Sequence, residues 1–216
     1  MIQSEYPVLA REGRVHMITS VILGLLSTWW LGYWSIPVWL LVVFVFQFFR
    51  DPKRKITTTP GAIVAPASGK VVSVGEEPNP YNNDQTAMKI SIFMNVFSVH
   101  SNLVPVAGTI NNCQYYPGKF LNAAVDKSST ENERNAIEIE TSDGHQIHCV
   151  QIAGLIARRI LSYVREGDKV ETGQRYGFIR FGSRVDLYIP TNSKLSVRLG
   201  QWVSSGNNTL AYLPGY

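Results

Sequence analysis

Gly177-Phe178-Ile179-Arg180-Phe181-Gly182-Ser183-Arg184-Val185-Asp186-Leu187-Tyr188-Ile189-Pro190 is the stretch on which the reading of the fold turns. Val185-Asp186-Leu187-Tyr188-Ile189 alternates apolar and polar side chains and is rich in residues that favour extended backbone, the pattern of a half-buried strand. Gly182-Ser183 interrupts the strand pattern. A glycine in such a place marks a bend, a bulge or a close backbone approach. It tolerates a distorted backbone and puts no side chain in the way of attack on its own carbonyl. The next residue carries a nucleophilic hydroxyl. The pair therefore reads either as a plain kink or as a bond that the chain can cut with its own serine.

Working outward, the whole region from residue 57 has the same character. Glycines and prolines recur, apolar runs are short, and strands are predicted over 62–65, 70–74, 88–93, 108–115, 135–141, 146–152, around Val170, and over 176–181, 184–189 and 194–199. That spacing predicts a mainly β domain, a β-sandwich or barrel-like unit. A helix is predicted over 154–162, and residues from Asn207 onward read as a short tail. The polar connection from Tyr116 to Arg134 is long enough to be functional or mobile. Lys70-Val71-Val72-Ser73-Val74 and Glu166-Gly167-Asp168 through Gly173-Gln174 resemble pieces of a biotinyl/lipoyl-type sandwich. Ala87-Met88-Lys89 even resembles the modified-lysine turn of such carriers. In carriers, however, the lysine follows the Gly-Asp turn, and here it precedes it. A related β topology is expected, not a carrier.

The N-terminal part differs. Residues 15–33 are nearly all apolar, Trp34-Ser35-Ile36-Pro37 breaks the run, and residues 38–49 are apolar again. About 20 apolar residues cross a bilayer as a helix. No small-residue cleavage site follows, which argues against a removed signal peptide. Arg11 and Arg14 precede the segment; Arg50, Lys53, Arg54 and Lys55 follow it. With basic residues at both ends, both stay cytoplasmic. The expectation is a helical hairpin dipping into or across the membrane, with Trp29, Trp30, Tyr33, Trp34 and Trp39 clustered near its break. The competing reading is a buried hairpin of a soluble core. The expected organisation is residues 1–56 as membrane hairpin and basic linker, and 57–216 as a β-rich catalytic domain.

The totals agree. A chain of 216 residues suits one domain with an appendage, and a net charge of +4 without a long Lys/Arg run speaks against nucleic acid and for an anionic lipid surface. The two cysteines, Cys113 and Cys149, lack metal-type spacing and read as buried thiols in a reducing compartment. No His-Glu-x-x-His and no carboxylate cluster points to a metal. No Gly-x-Ser-x-Gly elbow points to a conventional serine hydrolase. His100 follows an apolar segment and turns into a polar one, a place that suits either a catalytic base or a structural group.

Ordered along the chain, several segments carry a family likeness: Phe48-Phe49-Arg50-Asp51-Pro52, Pro66-Ala67-x-Gly69-x-Val71, Asn95-Val96-Phe97-Ser98-Val99-His100-Ser101-Asn102, Pro117-Gly118-Lys119-Phe120-Leu121-Asn122-Ala123, Asn132-Glu133-Arg134-Asn135, Gln151-Ile152-Ala153-Gly154-Leu155-Ile156-Ala157-Arg158-Arg159-Ile160 and Phe181-Gly182-Ser183-Arg184-Val185-Asp186. Together they resemble the short form of the phosphatidylserine decarboxylases. The resemblance implies a proenzyme in which Ser183 attacks the Gly182 carbonyl and forms an ester, with the counterpart of His100 as base. Elimination and loss of ammonia would leave a pyruvoyl group on residue 183, with chains 1–182 and 183–216 staying associated. Its carbonyl would take the substrate amine as a Schiff base and accept the electrons released with CO2. The implied setting is the cytoplasmic face of the cell membrane, with phosphatidylserine as substrate and phosphatidylethanolamine as product. A homo-oligomer is left open, as is the ether-lipid analogue archaetidylserine.

Two departures stand out. The family's Pro-Ala-Asp-Gly turn has Ser68 in place of aspartate, so a serine stands where a carboxylate would orient His100. Self-cleavage would then be slow, be served by Asp126 or Glu133, or be blocked, as in a relative that no longer matures. Phe97 stands where longer members carry a second histidine. Arg134 and Asn135 are expected to contact the substrate phosphate or carboxylate.

Overall fold

The computed structural model describes residues 8–123, 128–155, 159–180 and 182–216. The chain divides into two compact units, Met1–Lys53 and Arg54–Tyr216.

The first unit is a helical hairpin of α1 (Arg14–Leu31) and α2 (Ile36–Phe48) joined by a 3-10 turn over Gly32–Ser35. Gly32 takes a φ of 52°, which permits the reversal, and Pro37 opens α2 in its first turn. Several of the hairpin's polar side chains bond within it. Trp39 Nε1 donates to Thr28 Oγ1 at 2.9 Å, and the Ser20 hydroxyl to the Met17 carbonyl at 2.8 Å. Its outer surface is apolar, with Val15, Ile18, Leu23, Leu26, Leu40 and Val43 exposed. The segment Arg11–Phe48 is, by length and composition, long and apolar enough to cross a membrane. At the open end Ala10 N–H donates to the Phe49 carbonyl at 2.7 Å and Asp51 N–H to that of Val8 at 2.7 Å.

The second unit is mainly β, as its sequence predicts. Its strands are β1 (Ala62–Val64), β2 (Gly69–Asn79), β3 (Gln85–Met94), β4 (Ser101–Leu103), β5 (Gly108–Tyr116), β6 (Arg134–Glu140), β7 (Gln146–Ala153), β8 (Ile160–Ser162), β9 (Lys169–Val170), β10 (Arg175–Ile179), β11 (Ser183–Ile189), β12 (Lys194–Leu195), β13 (Trp202–Val203) and β14 (Thr209–Tyr212). A short helix, α3 (Ser128–Glu131), precedes β6. An eight-stranded sheet runs β13-β2-β3-β11-β7-β6-β5-β9, and two three-stranded sheets run β4-β10-β8 and β1-β14-β12. Ile63, Val71, Ile92, Ile139, Val185 and Leu187 belong to one core cluster. Alternation on β11 turns Val185, Leu187 and Ile189 into that core and Arg184, Asp186 and Tyr188 to the other face.

One topological feature positions the site. The neighbours β3, β11 and β7 in the large sheet are joined along the chain to β4, β10 and β8, which are neighbours in the same order in a small sheet. The strand ends where the chain passes between the two sheets therefore adjoin along a seam, at Met94 and Ser101, Ile179 and Ser183, and Ala153 and Ile160. Gly182-Ser183 is at the middle one of these passages and His100 stands just before Ser101 at another.

Three expectations are corrected. Of the helix predicted over 154–162 the described residues show none: Ile160–Ser162 is β8, paired with Gly177–Ile179, and residues 156–158 lie outside the described ones. Tertiary pairing overrides the helical spacing of that apolar run. The predicted tail contains β14, the central strand of its sheet, held between β1 and β12. The strand predicted over 194–199 shortens to Lys194–Leu195.

Candidate active site

Ser183 opens β11 and is fully buried. It is paired with Met94 of β3 on one side and Ala153 of β7 on the other. Its Oγ has no hydrogen-bond partner among the described residues. A buried hydroxyl without a partner is costly and calls for an explanation such as a catalytic role. The residue before it, Gly182, has a φ of 62°, the left-handed region that glycine enters without strain. This conformation turns the chain out of the β10 sheet and into the β11 sheet. Phe181 lies outside the described residues.

The wall beside the Gly182–Ser183 bond comes from the end of β7. The carbonyl oxygen of Gly182 lies 2.1 Å from the point where a Cβ on Gly154 would stand. Asn132, fully buried, fixes that strand end: its Nδ2 donates to the Ala153 carbonyl at 2.7 Å and to the Leu121 carbonyl at 2.8 Å, while its Oδ1 accepts from Leu121 N–H at 2.9 Å. Ala153 N–H in turn donates to the Glu133 carbonyl at 2.9 Å. Glu133, Ala153, Ser183 and Met94 thus form one row across four strands or strand ends.

His100 is fully buried, and its carbonyl accepts from Ile179 N–H at 3.3 Å. Its ring is 6.4 Å from that of Phe178. The histidine is therefore tied to the strand that leads into Gly182. Ser68 lies on the turn before β2. Its Oγ is 2.9 Å from Ser205 Oγ and accepts from Ser205 N–H at 3.0 Å. The Pro66 carbonyl of the same turn accepts from Leu103 N–H at 2.9 Å, which sets the turn against β4 just beyond His100. Arg54 Nη2 donates to Ser101 Oγ at 2.6 Å, so one cation of the basic linker braces the residue after His100. Phe97 is exposed on the 95–100 crossover. Of the two alternative carboxylates, Asp126 lies outside the described residues. Glu133 is buried, and its carboxylate accepts a hydrogen bond from Tyr115, whose hydroxyl is raised by burial first and by that carboxylate second.

Arg134 and Asn135 differ in setting. The half-buried Arg134 guanidinium donates to Tyr81 Oη at 3.0 Å and to the Thr130 carbonyl at 2.7 Å, and lies 4.5 Å above the Tyr116 ring. Asn135 is buried and donates to Gln151 Oε1 at 3.3 Å; Gln151 Nε2 donates to Asn102 Oδ1 at 2.8 Å. This enclosed amide chain links β6, β7 and β4 across the seam.

Sequence reasoning passed over three groups here: Gly154, Asn132, and the buried charges behind the serine. Arg184 Nε lies 2.8 Å from Asp186 Oδ1, both side chains 1% exposed, and Ser129 of α3 joins them, accepting from Arg184 and donating to Asp186 Oδ2 at 2.7 Å. The signal was present: two opposite charges alternating with Val185 and Leu187 in a strand. The cysteines are both free. Cys149 is buried beside the Tyr176 hydroxyl, with its thiol pushed up to about 12 by burial, and Cys113 is half-buried.

Residues 41–211 match the family described as phosphatidylserine decarboxylase. The chain is 52% identical over 209 residues to the phosphatidylserine decarboxylase proenzyme of Burkholderia vietnamiensis, covering 96% of this chain and 97% of that one. The Burkholderia cenocepacia proenzyme gives the same identity and coverage, and that of Burkholderia pseudomallei is 52% identical over 212 residues, 97% of each.

Proposed function

The chain belongs to the phosphatidylserine decarboxylase family, and on that premise we propose that it is a proenzyme that cuts its own Gly182–Ser183 bond and then removes CO2 from the serine headgroup of phosphatidylserine. The observation that carries this reading is the buried Ser183 Oγ, without a hydrogen-bond partner among the described residues, directly after a glycine at positive φ where the chain passes between two sheets.

In the first step the Ser183 oxygen bonds to the Gly182 carbonyl carbon, the C–N bond breaks, and the hydroxyl proton ends on the freed amine. The sum is an isomerisation of amide to ester. His100, tied to Ile179 through its own carbonyl, is the proposed base that carries the proton. Loss of the Ser183 Cα proton then expels the Gly182 carboxylate, and water replaces the nitrogen as ammonia. Residue 183 suits this fate. It heads β11, so cutting before it makes a chain end without removing the pairings of Arg184 onward. The pyruvoyl group so formed supplies the electron sink for decarboxylation.

The cut chains would stay together, because residues 183–216 carry β11 to β14. Of these, β11 is inserted between β3 and β7, β13 pairs with β2, and β14 pairs with β1. Arg134 is the residue offered to an anionic headgroup, being cationic and half-buried. The enclosed Asn135 supports the site through Gln151. The apolar hairpin and the basic residues that follow it are the proposed tether to the cytoplasmic leaflet.

Denaturing mass spectrometry of the purified protein tests the reading. Two chains divided after Gly182, the smaller with a carbonyl instead of an amine at its N-terminus, are expected. Ser183→Ala should give one intact chain. A wild-type chain that stays intact on long incubation, or a Ser183→Ala chain that is still cut, overturns it.

A further inference from the structure

We propose that Gly154 is a positioning residue for self-cleavage: its missing side chain is the seat of the Gly182 carbonyl oxygen, and Asn132 holds that seat in place. This rests on the reading of Gly182–Ser183 as the bond that is cut.

Three observations converge. A Cβ on Gly154 would lie 2.1 Å from the Gly182 oxygen and 2.9 Å from the Gly182 carbon, the atom that Ser183 must attack. The third-nearest atom to that point is the Ala123 Cβ at 3.2 Å, so an added methyl is crowded by a second segment as well and must displace the carbonyl or its own strand end. By contrast, a Cβ on Gly182 itself would meet nothing within 4 Å, so crowding at this bond comes from Gly154 alone of the two glycines. Asn132 completes the arrangement: one amide holds the Ala153 carbonyl and both backbone polar groups of Leu121, pinning the strand end and the segment that bears Ala123. The serine and its carbonyl are one residue apart on a chain free to twist at Gly182. The angle of attack is therefore set by what the carbonyl oxygen rests against, and a shift of a fraction of an ångström there is expensive.

The test uses the full-length chain and follows the appearance of the two fragments with time. Gly154→Ala should be cleaved about tenfold or more slowly than wild type, the size expected from misplaced reacting atoms. Gly108→Ala is the control, since its Cβ would meet the Glu140 carbonyl oxygen at 2.3 Å, a comparable collision at the start of β5, away from the Gly182–Ser183 bond. It should cleave within about twofold of wild type, as a surface-strand strain that spares the reacting atoms. Hydroxylamine, which splits an accumulated ester, should not release fragments from Gly154→Ala, because the block precedes ester formation. A wild-type rate in Gly154→Ala, equal slowing in Gly108→Ala, or hydroxylamine-released fragments would overturn the proposal. Where Gly154→Ala is recovered unfolded, Asn132→Ala decides in its place: slowed cleavage supports the seat and an unchanged rate refutes it. If wild type stays whole, or Ser183→Ala is cut, the premise fails and not this assignment alone.

Discussion

Arg184 and Asp186, two residues apart on β11, form an ion pair at 2.8 Å in which both side chains are 1% exposed. Ser129 bonds to both and thereby ties α3 to the strand that Ser183 opens. Breaking a buried pair from one side strands the other charge and costs about 3–5 kcal/mol, whereas replacing both members with apolar residues of like volume is near neutral. Asp186→Ala should therefore destabilise the chain by about that amount, and Arg184→Met/Asp186→Leu by much less. Urea unfolding in a Ser183→Ala background, where one intact chain is expected, is the measurement. A loss below about 1 kcal/mol in Asp186→Ala would show that the pair is solvated in the folded state.

Ser68 gives the second prediction. Its hydroxyl accepts from Ser205 N–H at 3.0 Å and lies 2.9 Å from Ser205 Oγ. An aspartate there can keep both partners as donors and add a negative charge on the turn that packs against β4 just beyond His100. Ser68→Asp should speed formation of the two chains by about tenfold or more if that charge is limiting. An unchanged time course means that a carboxylate at this position does not limit maturation.

How far these features could be read beforehand depends on the kind of interaction. Apart from β13, the strands of the large sheet were legible because alternation and β-branched residues are local signals. β4, β8, β13 and β14 were not: each is short and extended because of a partner far along the chain, as when Ile160–Ser162 pairs with Gly177–Ile179 despite its helical spacing. Gly182-Ser183 could be singled out as a strand interruption, but the seam that gives the interruption meaning is topological. Gly154 shows the limit most plainly. Its role is defined by the carbonyl of a residue 28 positions away, which no window of sequence contains.

His148 supplies a pH dependence. It is buried, its Nδ1 lies 3.1 Å from Asn79 Nδ2, and burial pulls its pKa from 6.5 down to about 4. Its neighbour Glu138, with Oε2 3.8 Å from His148 Nε2, is raised, by burial first and by Glu140 second. Both groups are pushed towards their neutral forms, so this contact is not a strong ion pair. With a folded pKa below the unfolded one, His148 contributes stability that is fully present above pH 6.5 and lost as the pH falls through about 4. The loss is at most about 3 kcal/mol. Stability measured across that window should fall less steeply in His148→Gln than in wild type. Parallel curves would mean that the imidazole titrates alike in the folded and unfolded chain and that burial does not depress it.

The hairpin offers the last prediction. Trp29, Trp30, Tyr33 and Trp34 stand 80–93% exposed around the turn between α1 and α2, while Ser20, Thr28 and Trp39 make their hydrogen bonds inside the hairpin. Large apolar rings with a polar edge are the side chains that settle at a membrane interface. α1, at 18 residues, is about 27 Å long, close to the hydrocarbon thickness of a bilayer. Four of the five tryptophans are in this unit, so the fluorescence of the whole protein reports mainly on it. Transfer from detergent into vesicles carrying anionic lipid should leave the emission blue-shifted and quenchable by brominated acyl chains. Trp30→Ala/Trp34→Ala should weaken vesicle retention while leaving the melting of the β unit unchanged. Emission that stays open to an aqueous quencher and untouched by the brominated chains would place the hairpin outside the bilayer and remove the tether from the proposed function.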